Sequence, residues 1–233
     1  MRYIRKNIYS DASKLLRNWE IERIKANQNL AYNDFNDKNL LNRYLIEEQG
    51  GICCYCQQKV TKMKIGNTGD CHNEHLLPQN GPNARKDKQI DSGNIFACCC
   101  YSSGLPKHLQ HCGESKGDKL IYDFIKWINC SSYFKYNTIG EIMPNGNFNK
   151  IEEYIANEAI LSEKQKQALD AIDKLKLNQD VLKDERKKDI IVLIKALNNL
   201  SFDEVQEKIK EINIKPYPRF VDMLLYYMRK KAE

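Results

Sequence analysis

Cys53-Cys54-Tyr55-Cys56 places cysteines on what reads as one tight turn, and Cys98-Cys99-Cys100 with Cys112 adds more further along. Thiolates are soft ligands. Four of them hold zinc tetrahedrally, and a Cys-x-x-Cys pair such as Cys53 and Cys56 fills two positions from one segment. Between the clusters runs Asn73-Glu74-His75-Leu76-Leu77-Pro78, and Asn94 and Lys116 follow. Hydrolysis of a phosphodiester needs an activated water, and something positive to take up the charge growing on the non-bridging and leaving oxygens. His75 suits the general base, because an imidazole titrates near neutrality. Glu74 suits a carboxylate ligand for Mg²⁺ or Mn²⁺. If the pair lies on a strand, alternation sends the two side chains to opposite faces. Lys116 is expected to meet the scissile or a neighbouring phosphate as a point charge. The pattern points to metal-assisted cleavage of nucleic acid.

The competing reading makes the cysteines core residues or disulfides, since a free cysteine packs as a small hydrophobe. Nine cysteines is an odd number, and no apolar signal segment follows Met1-Arg2-Tyr3. Both facts favour a reducing, cytoplasmic setting in which clustered cysteines bind metal. Cys54, Cys71 and Cys130 are then expected to be plain packing or surface thiols.

At these residues the chain resembles the HNH endonuclease subunit of Septu and retron-associated bacterial defence systems, the PtuB-like family. The matching pieces are Met1 to Lys6, Glu48 to Cys56, Glu74-His75-Leu76-Leu77-Pro78, Gly93-Asn94-Ile95, His111-Cys112-Gly113 with Lys116-Gly117-Asp118, Phe134-Lys135-Tyr136 before Gly140, and Leu175 to Asn178 with Leu182 and Arg186. They span most of the chain up to Arg186. The resemblance implies a zinc-stabilised nuclease core of the ββα-metal type, acting in antiviral defence beside a PtuA-like ATPase, with a retron reverse transcriptase and its msDNA as further partners. It puts His75 on the base, Glu74 on the acidic metal ligand, and Asn94 on the middle Asn, which holds its loop and orients the base. It also puts the second pair of zinc cysteines at Cys99, five residues after Asn94, and Cys112, with Cys98 and Cys100 as substitutes. One position departs. Many such domains carry Asn, His or Asp directly after the last zinc cysteine to complete the catalytic metal site, and here that residue is Gly113. The ligand must then come from His111, the first choice, or from Glu114, His108, Asp118 or water. A catalytically impaired, zinc-built nucleic-acid-binding subunit is the alternative, as is an effector that cleaves RNA or tRNA.

The elements that must position these groups are short. Ser10 or Asp11 can cap a helix carrying Leu15, Leu16 and Trp19, and Asp37 a second through Leu45 that Gly50-Gly51 ends. From Ile52 to about Lys119 turn residues outnumber periodic apolar ones, so metal must supply order that a small core could not. A brief helix or strand is expected over Lys119 to Trp127, and a hairpin about Gly140. Beyond Ile151 helical stripes take over: Ala168 to Leu175, Ile190 to Leu197 after Arg186-Lys187-Lys188, a helix from Phe202-Asp203, and one from Arg219 to Lys231 behind Pro216 and Pro218. The expected class is α+β, with an HNH ββα-metal core embedded in flanking helices and a mostly helical C-terminal part. Its divisions are an N-terminal helical segment (1–51), a nuclease core (52–148) and a C-terminal helical region (149–233), whose stripes read first as intramolecular packing and second, at Leu224, Leu225, Tyr226 and Tyr227, as a docking face for the ATPase. A net charge of +6 suits an anionic partner. Arg85, Lys86 and Lys88, in the insert between His75 and Asn94, could grip phosphates. No apolar run approaches the roughly 18 to 20 residues needed to span a bilayer.

Overall fold

The computed structural model describes residues 1–232. Among these are eight α-helices and two two-stranded antiparallel sheets, an α+β arrangement that is mostly helical. Helix α1 (Asp11–Lys25) starts where the Ser10 side chain accepts from the Ser13 amide, satisfying one of the first-turn N–H groups. Helix α2 (Lys38–Gln49) follows Asp37, whose side chain makes no capping bond, and stops at Gly50 in the left-handed region, φ 73°. A Cβ at Gly50 would stand 2.6 Å from the Tyr217 ring, so both conformation and space require glycine.

Strand β1 (Cys71–His75) pairs antiparallel with β2 (Ile95–Cys99) in the register Cys71 to Cys99, His72 to Cys98, Glu74 to Phe96 and His75 to Ile95. Helix α2 lies on this hairpin, and Gln49 locks the two together. Its amide donates to the carbonyls of Ile52 (2.9 Å) and Ala97 (2.8 Å) and accepts from the Ala97 N–H (2.7 Å). A buried amide with its donors and acceptor used specifies one register between helix and strand. After β2 comes a single-turn helix, α3 (Gly113–Lys116).

The segment expected as a brief helix or strand before Trp127 is a short 3₁₀ turn, Phe124–Lys126. The hairpin about Gly140 is present as β3 (Phe134–Tyr136) and β4 (Ile142–Pro144). The remaining helices are α4 (Ile151–Ala156), α5 (Glu163–Lys174), α6 (Asp180–Leu197), α7 (Phe202–Ile212) and α8 (Val221–Lys231). Arg186 to Lys188, expected ahead of a helix, lie inside α6, where Arg186 is buried and donates to the carbonyls of Leu182 (3.0 Å) and Leu177. The C-terminal aromatic run packs within the molecule. Leu225 is buried, and Leu224, Tyr226 and Tyr227 pack on the core. Helix α8 lies against α6, α7 and β3, which uses that surface inside the molecule.

One cluster of buried side chains, from Met1 through Leu16, Leu45, Phe96 and Ile190 to Met223, joins both ends of the chain to the hairpin. Among the described residues, no helix is long and apolar enough to cross a membrane.

Candidate active site

The segment from Ile52 folds back on itself: the Cys53 N–H donates to Gln58 O (2.8 Å), and the Gln57 N–H to Cys53 O (3.2 Å). This turn brings Cys53 and Cys56 together. Their sulfurs meet those of Cys99, at the end of β2, and Cys112, just before α3, with all four ligand atoms within 4.8 Å of one another. Cys56 and Cys99 stand 3.6 Å apart, and Cys53 and Cys112 4.0 Å. A tetrahedral ion with bonds of about 2.3 Å to sulfur has S···S edges of about 3.8 Å, so the donor set fits zinc. The N–H groups of Tyr55 and Gln58 point at the sulfurs of Cys53 and Cys56, each at 3.5 Å, and stabilise thiolate charge. Burial alone would raise the Cys53 thiol, but hydrogen bonds from Cys112 and its neighbours hold it well below its ordinary value. All nine cysteines are free thiols.

Strand alternation in β1 puts His72 and Glu74 on one face and His75 on the other. Glu74 is buried. Its Oε1 accepts from Tyr55 Oη (3.1 Å) and meets Lys116 Nζ at 3.0 Å, while Oε2 faces His72 Nε2 at 3.4 Å. Burial pushes the carboxyl up, yet His72 and Lys116 outweigh it and hold Glu74 below the usual carboxylate range. Lys116 does not face solvent. Its side chain is 1% exposed, and its ammonium also donates to the carbonyls of His75 (2.9 Å) and Gly117 (3.2 Å). With every donor committed inside the protein, it anchors α3 to β1 and fixes Glu74.

Gly113 stands directly over the pair. A Cβ there would lie 2.7 Å from His72 Nε2 and 2.8 Å from Glu74 Oε2, distances that force one of them aside. The space that a side chain would fill after the last zinc cysteine is therefore bordered by an imidazole delivered from β1. His72 is also 28% exposed, so solvent reaches the pair. His111 lies elsewhere: its Nδ1 is 3.3 Å from Cys112 Sγ, beside the thiol cluster.

His75 is 5% exposed and packs edge-on against Tyr32, ring centroids 4.6 Å apart. Burial lowers its pKa despite the Gln89 carbonyl and the charge of Glu74, which favours the neutral imidazole. Nε2–H donates to Gln89 O at 2.9 Å, leaving Nδ1 as the acceptor, and there the Gln79 side-chain amide donates at 2.7 Å. Asn94 is buried and staples the connecting loop. Its Oδ1 accepts from the Leu77 N–H (2.7 Å), and its Nδ2 donates to the carbonyls of Leu77 (3.1 Å) and Lys88 (3.0 Å), one residue before Gln89. The basic insert is partly neutralised. Arg85 binds Asp87 through two bonds, and Lys88 pairs with Asp91 at 3.0 Å. Lys86 is exposed.

Three residues of this site escaped the sequence analysis, His72, Gln79 and Gln89. The first carried a signal, since His72 and Glu74 are two apart on a strand and so share a face. Gln79 sits in an irregular loop, where no periodicity could place it.

No family model matches the chain. Over 194 residues, 81% of this chain and 83% of the other, it is 28% identical to a protein of Vibrio cholerae serotype O1 biovar El Tor named "Retron Vc95 putative HNH endonuclease". That similarity supports an HNH endonuclease-like, retron-associated family for this chain.

Proposed function

We propose that the chain is a metal-dependent HNH endonuclease that hydrolyses phosphodiester bonds of nucleic acid in bacterial antiphage defence. The observation that carries this reading is the pair Glu74 and His72, 3.4 Å apart on one face of β1 under a residue that has no side chain. Glu74 Oε1 is taken by Tyr55 and Lys116, so Oε2 is the oxygen left to offer. The four thiols would hold zinc as a structural ion. Glu74 and His72 would hold Mg²⁺ or Mn²⁺, which when bound supplies positive charge to the non-bridging and leaving oxygens. His75 would accept the proton of the attacking water at Nδ1, because its other nitrogen is committed to the Gln89 carbonyl. Lys116 then has a positioning role, fixing Glu74, and Asn94 holds the loop that carries Gln89. The name of the Vibrio relative supports both the chemistry and the retron setting. A PtuA-like ATPase, and a retron reverse transcriptase with its msDNA, are the partners that go with it.

Incubating the purified protein, alone and with the ATPase and ATP, with plasmid DNA, single-stranded DNA and total RNA tests the reading. Cleavage that requires Mg²⁺ or Mn²⁺ and stops with chelator is expected, and the substrate cut separates a DNase from an RNA-cleaving effector. Binding without cleavage in every condition would instead identify a zinc-built nucleic-acid-binding subunit.

Two variants probe the geometry. Gly113→Ala is expected to slow cleavage by about tenfold or more while leaving zinc in place, because its Cβ displaces His72 or Glu74 and small displacements in an active site are costly. A single-turnover rate equal to wild type would count against an ion between these residues. Gln79→Ala is expected to do the opposite. The Gln79 amide occupies the nitrogen that must face water, and losing a hydrogen bond of about 1 kcal/mol should raise the single-turnover rate roughly fivefold. A fall in rate would make Gln79 a support of the base rather than a restraint on it.

A further inference from the structure

The four-cysteine seat leaves two thiols of the cluster unused. Cys98 precedes Cys99 on β2 with the opposite parity, across the sheet from His72, yet its sulfur stands 3.8 Å from that of Cys53. Cys54 follows Cys53 in the knuckle and is tied to β2 by its N–H, which donates to Ala97 O at 3.1 Å. The sulfurs of Cys53, Cys54 and Cys98 all lie within 4.8 Å of one another, and all three residues are buried. We propose that these three thiols form a second metal seat, for a soft d¹⁰ ion, which shares Cys53 with the four-cysteine site as a bridging thiolate.

The geometry suits three-coordination. An ion bonded to three sulfurs at about 2.3 Å in one plane holds them about 4.0 Å apart, close to the Cys53 to Cys98 separation. A donor set made only of thiolates selects soft ions, Cu⁺ or Zn²⁺, over the hard Mg²⁺ and Mn²⁺ assigned to Glu74. The ion also has an access route. Cys53 and Cys54 line a cavity of about 410 Å³ whose wall includes Glu48. Glu48 Oε2 binds Lys6 at 2.7 Å, but Oε1 is buried with no hydrogen-bond partner, an unsatisfied carboxylate oxygen on a residue that lines the same cavity. Arg2, Arg5 and Lys215 line the same cavity and offset thiolate charge that two ions leave unneutralised. Loading takes Cys54 and Cys98 as thiolates, any proton they carry passing to solvent, Cys53 being already a thiolate through the first ion. No electrons move.

The seat does not depend on nuclease activity, and its test reads metal alone. The full-length protein, stripped and reconstituted under reducing, anaerobic conditions with Zn²⁺ or with Zn²⁺ followed by Cu⁺, is assayed for ions per chain. Two thiolate-bound ions per chain are expected, beyond any ion lost when Mg²⁺ is supplied in excess to the Glu74 and His72 pair. The second should disappear in both Cys54→Ala and Cys98→Ala, each of which retains one tightly held zinc. The two loading arms decide which ion the seat prefers. Wild-type protein that never exceeds one equivalent in either arm would overturn the proposal and leave Cys54 and Cys98 as packing residues. So would two equivalents persisting in both variants. Loss of the first zinc from Cys98→Ala would also overturn it, by placing Cys98 in the four-sulfur site instead.

Discussion

Replacing His75 with alanine is expected to lower the rate of phosphodiester cleavage by about 10²- to 10⁴-fold, the usual contribution of a positioned general base. Zinc content should stay at the wild-type level, because His75 lies on the face of β1 away from His72 and Glu74 and is not among the converging thiols. The imidazole also has a structural share. It is buried against Tyr32, and its Nε2–H satisfies the Gln89 carbonyl. Truncation therefore leaves a cavity and an unpaired acceptor, at a cost of about 2–4 kcal/mol. His75→Gln separates the two effects, since an amide can still donate to Gln89 but is not basic. The Gln variant should melt nearer to wild type, bind nucleic acid as wild type does, and still fail to cut. Gel-resolved single-turnover cleavage, a thermal melt and elemental analysis on the same preparations make the measurement. Cleavage by either variant at the wild-type rate would remove His75 from the chemistry, and with it the proposed role of Asn94 and Gln89 in aiming it.

Much of the helical framework was legible in the chain because local signals set it. Ser10 before an apolar stripe, Gly50-Gly51 behind another, and prolines 216 and 218 ahead of a third are each physical stops or starts. The exceptions have physical reasons. Arg186-Lys187-Lys188 reads as the stretch ahead of a helix, yet Arg186 finds buried carbonyl acceptors at Leu182 and Leu177 and lies inside the helix. The tail residues Leu224 to Tyr227 read as an exposed surface only because their partners, on α6, α7 and β3, are remote in sequence.

The site was legible by residue type more than by geometry. Cysteine spacing identifies a thiol cluster, but three consecutive cysteines, 98 to 100, differ only in strand parity and in where β2 ends. Cys99 meets Cys56 because the strand terminates there, and that is a tertiary fact. Lys116 shows the same limit in another form. A lysine four residues after a metal-site cysteine suggests a phosphate contact, yet one helical turn returns it beneath β1, where the Glu74 carboxylate and two carbonyls absorb its donors. Gly113 made the missing ligand visible as a gap. Only the fold shows which residue borders that gap, because His72 is separated from it by the whole β1–β2 connection and the loop after it.

Cys112→Ala is expected to be more damaging than any change in the catalytic groups. Among the four sulfurs, Cys112 brings in the segment furthest along the chain from the Cys53 knuckle, and its backbone is held at φ 56°, outside the comfortable range of an L-residue. Its N–H donates to Leu175 O at 2.8 Å, so the thiol cluster and the end of α5 are fastened through one residue. A structural zinc contributes on the order of 10–16 kcal/mol when its site forms, comparable to or above the whole stability of an ordinary domain, about 5–15 kcal/mol. Losing one of four thiolates should therefore release the ion. Regions that keep their own apolar packing, such as α5 and α6, would survive longest, while the knuckle, β2 and α3 should open together. Even a loss of about 5 kcal/mol shifts the melting temperature of a chain this size by roughly 10–20 °C. Zinc analysis should read about one equivalent below wild type, and added chelator should destabilise wild-type protein toward the same melting temperature as the variant. A Cys112→Ala protein that keeps its zinc and melts with wild type would show that three thiolates and a neighbour, with Cys98 or His111 nearest to hand, suffice. The assignment of the fourth ligand would then move to that neighbour.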